Sequence, residues 1–294
     1  MHNPAIGRTR APLAAAGRPR KRSLAAELVL HLIVAAGALI MVAPFVWMVL
    51  SSLKDLSQVF LIPPKWIPDP WVFGNFKRSW EALPFDRAYF NSFYINIIVV
   101  TAQLVTCSMA AYAFAKVRFP LREPLFVLFL ATMMIPGQVT IIPLYLIMKQ
   151  IGWLDSHLAI IVPSALFNAF GVFLLRQFMK SVPSELEEAA IVDGANRWTL
   201  YWRIMLPLVQ PALAALGIFT FLGMWNNFFG PLIFLNTPEK FTVPLLLNLF
   251  RGMYITDWTL MMAGSSIAVV PVLIVYLLGQ RYIIEGVTLT GIKG

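Results

Sequence analysis

Charge is what this sequence has least of. Only 13% of its 294 residues are Asp, Glu, Lys or Arg, against 59% hydrophobic residues, and the mean hydropathy is +0.74. Average soluble domains carry about 25% charged residues. Too little polar side chain remains to coat a water-soluble particle of this size, which places the chain in the membrane class. Cysteine is scarcer still. Cys107 stands alone in an apolar run, so it makes no internal disulfide and no metal site; a small packing residue is the expectation. Motifs of catalysis are missing too. The sequence has no G-x-x-x-x-G-K-[ST] phosphate loop, no H-E-x-x-H, no G-x-S-x-G and no Cys/His cluster. The first absence excludes phosphate cradling by that loop, and the others argue against an intramembrane enzyme. No acidic or basic residue falls at the centre of a candidate span, and His31 lies near an end of the first. The carboxylate relays of proton-driven carriers are therefore absent. No cofactor or metal is expected in this chain.

What is present is apolar length. A bilayer core of about 30 Å needs roughly 20 helical residues. Six stretches meet or approach this: Leu28–Leu50, Phe93–Ala115, Leu125–Met148, Leu158–Leu175, Ala212–Leu235 and Leu260–Gly279. The fourth is short, and Arg176 and Lys180 are placed to snorkel and extend it. The first run outlasts the 7–15 residues of a signal-peptide core and reads as a retained helix. Net charge is +9, and six basic residues, Arg8, Arg10, Arg18, Arg20, Lys21 and Arg22, precede the first span. With the N-terminus inside, 15 basic residues fall inside and eight outside, so the positive-inside bias predicts both termini in the cytoplasm. No basic patch interleaves with aromatics, and nucleic acid is not an expected partner. The expectation is an all-α membrane protein of six transmembrane helices. Its divisions are a basic cytoplasmic tail (1–23), a first helix and external loop (24–84), a transmembrane core (85–285) and a cytoplasmic C-terminal tail (286–294). In the external loop, "IPPKWIPDPW" joins helix-blocking Pro to interface-seeking Trp, which predicts an ordered cap on the outer surface.

One segment interrupts the apolar pattern. Lys180, Glu185, Glu187, Glu188, Asp193, Arg197 and Arg203 lie between the fourth and fifth spans. At roughly 2.5–3.5 kcal/mol per charge at mid-bilayer, burying all of them would cost on the order of 17 kcal/mol or more. Residues 181–210 are therefore an aqueous loop, inside by the topology count. Ser184 and Glu187 have capping-box spacing, and the Glu residues sit where a helix dipole favours anions. Asp193-Gly194 stops the helix, since Gly adopts the left-handed conformation without a Cβ penalty. Asn196 can cap a second helix, Arg197–Met205, followed by Pro207. The product is a helix–turn–helix knob. Its Ala189-Ala190 face suits a groove on another protein; the alternative is a solvated amphipathic linker.

The string "EAAIVDGANRWTLYWRIMLPL" resembles the EAA loop of membrane subunits of bacterial binding-protein-dependent ABC importers. The matching positions are Glu188, Ala189, Ala190, Asp193, Gly194, Ala195, Tyr201, Ile204, Leu206 and Pro207, with Tyr201 where Phe is commoner. The resemblance extends from about Phe85 to the C-terminus. "WNNFFGPLIFLNTPEKFTVPLLL" and the ending "GVTLTGIKG" are similar to the sugar-importing branch, of the maltose-permease G-subunit type. The tail keeps Gly286, Thr288, Lys293 and Gly294, while Leu289–Ile292 departs from the family's ending. The resemblance implies one of two different membrane subunits, served by two cytoplasmic ATPase subunits that bind ATP and Mg, and by an external solute-binding protein. It implies that the loop, with Glu187 and Arg197 beside the matched positions, is a coupling helix seated in an ATPase cleft. A tail contact through Thr288, Lys293 and Gly294 follows likewise.

Polar residues inside the spans are candidates for a solute path. Asn226 and Asn227 stand beside Trp225; amides bond hydroxyls and aromatic faces stack on sugar rings. Gly230 and Pro231 can break that helix where it lines a cavity. Gln138 and Asn168 are further candidates, and interhelical bonding is the alternative for all of them. Gly264-Ser265-Ser266 fits close helix packing. A glycerol phosphate ester or polyol is a rival solute, although no Arg or Lys lies within the spans to meet a phosphate. A membrane scaffold without transport is the remoter alternative.

Overall fold

The computed structural model describes residues 24–166, 168–252 and 256–291. Among them the regular elements are helical, with one isolated bridge between Arg251 and Thr256. The chain divides into two compact units, residues 1–47 and 48–294. What is described of the first is one helix, the start of α1 (Leu24–Ser52). Leu28, Ile33, Leu39 and Met41 are all exposed on it. A helix apolar on every side is stable only where hydrocarbon replaces water. Its lone imidazole stays local, with His31 Nδ1 2.6 Å from the Glu27 carbonyl.

The second unit continues through α2 (Leu56–Val59), α3 (Gly74–Ala82), α4 (Phe85–Lys116), α5 (Arg122–Ala131), α6 (Gly137–Gln150), α7 (Leu158–Leu166) and α8 (Ala169–Ser181). Then come α9 (Ser184–Val192), α10 (Arg197–Thr199), a π-helical turn at Leu200–Met205, α11 (Leu206–Leu208) and α12 (Gln210–Trp225). The last elements are α13 (Phe229–Phe234), α14 (Val243–Leu247) and α15 (Trp258–Gly291). Four helical runs, 24–52, 85–116, 158–181 and 258–282, are long and apolar enough to cross a membrane. The count reaches six if each of two bent pairs is one span.

The structure departs from the expected third, fourth and fifth spans in different ways. The third is two helices meeting at 94° between Met134 and Gly137. Pro136 has no N–H to continue the ladder and forces Ile135 into extended backbone (φ −85°, ψ 113°). The fourth runs on to Ser181, and Arg176 does not snorkel. It is 5% exposed, one guanidinium nitrogen lies 2.7 Å from both oxygens of Glu123, and Nε donates to the Phe114 carbonyl at 3.1 Å. Before the fifth, the helical run 197–208 turns 76° into 210–225, because Pro211 cannot donate to the Pro207 carbonyl. The break within the fifth is not at Gly230-Pro231. α12 ends at Trp225, and Pro231 falls within the first turn of α13, where a missing N–H costs nothing.

α4 is the spine of the second unit and packs against α7, α8 and α12, while α15 packs against α12 and α3. Two apolar clusters are strung along α4. One gathers Phe85, Val99, Trp225, Leu246 and Phe250; the other gathers Cys107, Leu175, Tyr201, Met205 and Leu216. Between lipid-bathed helices the gain comes from close packing rather than from leaving water. Gly171 shows the closeness: a Cβ there would meet Leu216 Cδ1 at 2.9 Å and Cys107 Sγ at 3.0 Å. Gly264 is the equivalent point on α15, 2.8 Å from Leu247 and 2.9 Å from Phe85 by the same construction, as the small-residue run predicts. The cap expected after α1 is ordered. Asn75 Nδ2 donates to the Ser52 and Lys54 carbonyls at 2.9 and 2.8 Å, and Ser79 Oγ donates to the Leu260 carbonyl at 2.9 Å.

At the same end, Asp155 locks two loops together from a left-handed position (φ 53°). Its carboxylate accepts from the backbone N–H groups of Asn236 and Thr237 at 2.9 and 3.0 Å, from Thr237 Oγ1 at 2.6 Å, and from Lys240 Nζ at 2.8 Å. These bonds, that from Lys240 first, hold its pKa well below the usual carboxylate range. A depressed carboxyl contributes stability that is complete above its unfolded pKa of about 3.9 and is lost as pH falls toward the folded value. Asp155→Asn should therefore destabilise the detergent-solubilised protein at pH 7 by about 1.5–3 kcal/mol, the range for a hydrogen bond to a charged group. Thermal unfolding across pH should show the gap between variant and parent constant above pH ~5 and shrinking below ~4. A gap that widened in acid would contradict the assignment.

Candidate functional site

The charged segment folds as the expected knob, with one internal correction. Pro183, not Ser184, precedes the first turn of α9, and no side chain caps it. The capping box is not formed because Glu187 has a better partner: its Oε1 lies 2.7 Å from Lys116 Nζ, with the two side chains only 14% and 11% exposed. The turn is as predicted. Gly194 has φ +85°; its N–H donates to the Ile191 carbonyl at 3.0 Å and that of Ala195 to Ala190 at 2.9 Å. This is the paired-bond ending in which a left-handed residue satisfies the last carbonyls. Asn196 caps the second helix, its Oδ1 accepting from the Thr199 N–H at 2.9 Å. The helix then widens into the π turn and runs past Pro207 to Leu208.

Burial sorts the motif into two sets. Glu188, Ala189, Asp193, Gly194, Arg197 and Pro207 are exposed, as are Leu186, Ile191, Val192, Trp198 and Trp202. Ala190, Ala195, Ile204 and Leu206 are half-buried against the cluster around Met205. Tyr201 is 2% exposed. Its hydroxyl is 2.7 Å from Ser108 Oγ, and its ring is 5.4 Å from that of Tyr112. One set thus faces outward on a rigid turn and the other anchors it. Ser108, Tyr112 and Lys116 are neighbours of the motif that sequence reasoning missed. The available signal was their spacing at i, i+4 and i+8 on one face of the helix. Of the expected tail contacts, Lys293 and Gly294 lie outside the described residues, and of Thr288 only the backbone, in α15, is described.

Among the polar candidates, Asn168 is the one with a cavity. It caps α8, Oδ1 accepting from the Gly171 N–H at 2.8 Å, while Nδ2 donates to Gln103 Oε1 at 2.5 Å. Gln103, also missed, is 6% exposed in mid-α4. Its Oε1 accepts from Thr220 Oγ1 at 2.8 Å and its Nε2 donates to the Ser164 carbonyl at 2.6 Å. One cavity of about 220 Å³ is lined by Gln103, Asn168, Phe170, Phe219 and Thr220. A second, of about 530 Å³, shares Asn168 and Phe170 and reaches Thr132 and Thr140. No charged side chain lines either one. The structure does not bring the other candidates here. Gln138 is exposed in the first turn of α6. Trp225 is 2% exposed in the core, its Nε1 donating to the Ala268 carbonyl at 3.1 Å. Asn226 Nδ2 donates to the Leu222 carbonyl at 2.8 Å, and Asn227 Oδ1 accepts from the Gly230 N–H at 3.2 Å. Both close helix ends.

Residues 103–288 match the family described as "Binding-protein-dependent transport system inner membrane component". Among relatives, the chain is 34% identical over 260 residues to the arabinooligosaccharides transport system permease protein AraQ of Halalkalibacterium halodurans, covering 87% of this chain and 93% of the relative. It is 30% identical to the lactose transport system permease protein LacG of Rhizobium radiobacter, covering 88% and 94%. The fold is similar to that in a crystal structure of a bacterial ABC transporter involved in the import of the acidic polysaccharide alginate. There the TM-score is 0.78 and the identity 24%, over 90% of this chain and 99% of that one. Motif, helical architecture and relatives agree: the chain belongs to the binding-protein-dependent transport inner membrane components, as a multi-pass, non-catalytic permease subunit of an ABC transporter.

Proposed function

We propose that this permease forms half of the pathway of an ATP-driven sugar importer and couples to its motor through the knob at residues 184–208. The observation that carries the coupling is the division of the motif. Glu188, Ala189, Asp193 and Gly194 are exposed together, and Tyr201 is buried behind them. A linker gains nothing from a buried anchor under an exposed Ala and Gly face. In this reading both termini and the knob are cytoplasmic. Two ATPase subunits bind ATP and Mg and receive the knob, with further contact from Thr288, Lys293 and Gly294. A second, homologous membrane subunit completes the pathway, and an external binding protein delivers the solute at the end capped by residues 53–83.

A mono- or oligosaccharide is the solute class. Relatives named for arabinooligosaccharides, lactose and diacetylchitobiose support it. So does the chemistry of the cavities at Asn168: amide and hydroxyl groups beside Phe170 and Phe219 and no charge. Amides exchange hydrogen bonds with hydroxyls, and ring faces take the apolar faces of a sugar. Of the residues expected to line the path, Asn168 is the one that fits, with Gln103 and Thr220 beside it; Gln138, Asn226, Asn227 and Trp225 lie outside these cavities.

Two measurements test the coupling. A Cβ at Gly194 would meet nothing within 4 Å in this chain, so Gly194→Val carries only left-handed strain of about 1–2 kcal/mol until a partner is seated. Membrane insertion should persist and ATP-driven uptake should fall several-fold; normal uptake would count against docking. Separately, Glu188→Cys should crosslink to a co-expressed ATPase subunit, and Ile67→Cys, exposed in the Pro- and Trp-rich loop, should not. The opposite pattern would reverse the topology.

A further inference from the structure

A coupling knob works only if its displacement reaches the helices that line the path, and one set of contacts is built for that. Ser108, Tyr112 and Lys116 follow one another at i, i+4 and i+8, one stripe over the last turns of α4. Both helices of the knob rest on the stripe. Tyr201, from the second helix, bonds Ser108 at 2.7 Å and packs on Tyr112. Glu187, from the first, pairs with Lys116 at 2.7 Å. Lys116 Nζ also donates to the Val182 carbonyl at 2.9 Å, at the entry to the knob. The ion pair is nearly nine-tenths buried on both sides, unlike Lys65–Asp69 and Lys77–Glu81, whose side chains are exposed. A buried pair resists separation because parting it leaves an uncompensated charge away from water, whereas exposed pairs contribute little. Glu187 is also the acidic residue of α9 that turns inward, while Glu185 and Glu188 point out.

We propose that Lys116 and Glu187 are positioning residues for transport: their buried ion pair fastens the knob to α4, so that the two move as one body when the motor closes. The same α4, about three and a half turns nearer its start than Lys116, carries Gln103 and the cavity at Asn168. A rigid α4 thus joins the docking face to the proposed path without an intermediate element. This rests on the docking role proposed above.

The test uses the complete transporter, with its ATPase subunits and binding protein, in proteoliposomes, and reads solute transported per ATP hydrolysed. Lys116→Met and Glu187→Gln should each lower that ratio about fivefold or more, with ATP hydrolysis continuing. The exchanged pair Lys116→Glu/Glu187→Lys should recover it to within about twofold. Single variants that assemble and keep the parental ratio, or an exchanged pair no better than the singles, would overturn the proposal. A purely structural role would lower the yield of assembled protein and leave the ratio alone. Should the singles fail to assemble, spin labels at Met109 on α4 and Glu185 on α9, both exposed, decide the matter in a chain with the pair intact. Their separation should stay the same with and without bound ATP, and a change between the two states would overturn rigid movement. The Glu188→Cys crosslink separates the two ideas. Its absence sinks docking; its presence, with an unaltered transport ratio in the clamp variants, sinks the clamp alone.

Discussion

Hydrocarbon offers no partner to a polar group, and this constraint organises the second unit of the chain. Three of its polar or charged side chains are answered across helices at successive levels of α4. Gln103 ties Ser164, Asn168 and Thr220 together. Arg176 reaches the Phe114 carbonyl and Glu123, with its guanidinium 3.8 Å over the Phe126 ring. Lys116 holds Glu187 and the Val182 carbonyl. Apolar packing fills the space between them, but it has no direction of its own in lipid. The polar contacts set which helix faces which, and all three pass through the same long helix.

This arrangement also explains why a single short motif contains residues of opposite habit. Glu188, Asp193 and Gly194 look outward and Tyr201 looks in. The outward set needs a shape, which the left-handed Gly194 and the Asn196 cap provide locally. The inward set needs a floor, which only the distant Ser108 and Tyr112 provide. In the proposed docking role, a substitution in the outward set removes surface and one in the inward set removes foundation.

Much of this was legible in the sequence where the physics is local. Apolar length marked the helices, the charge cluster marked the knob, and Asp193-Gly194 and Asn196 marked its turn and second start. Small residues at Gly264 marked a close approach. What was not legible depends on partners far along the chain. Ser184 and Glu187 have capping-box spacing, yet Lys116, about 70 residues upstream, outcompetes the backbone for the carboxylate. Arg176 read as a snorkelling residue until Glu123 and Phe126 closed around it. Asn226 and Asn227 looked like pathway amides and are spent on helix ends, whereas Gln103, a lone amide in an apolar run, holds the centre. Pro136 was visible, but periodicity alone could not show that the chain would turn there through a right angle instead of bending slightly.

The widened turn at Leu200–Met205 has a consequence for how the knob tolerates change. The Leu206 N–H reaches back five residues to the Tyr201 carbonyl, so this stretch holds one residue more than ordinary α spacing requires. The wider turn absorbs that residue locally, so the helix keeps the same facing before and after it. Arg197 and Trp198 on one side and Leu206 on the other therefore hold their directions whether or not the extra residue is present. An insertion or deletion in the regular helix beside it has no such buffer and would rotate all that precedes it by about 100°. The segment is thus tolerant of a length change at one place and intolerant of it next door.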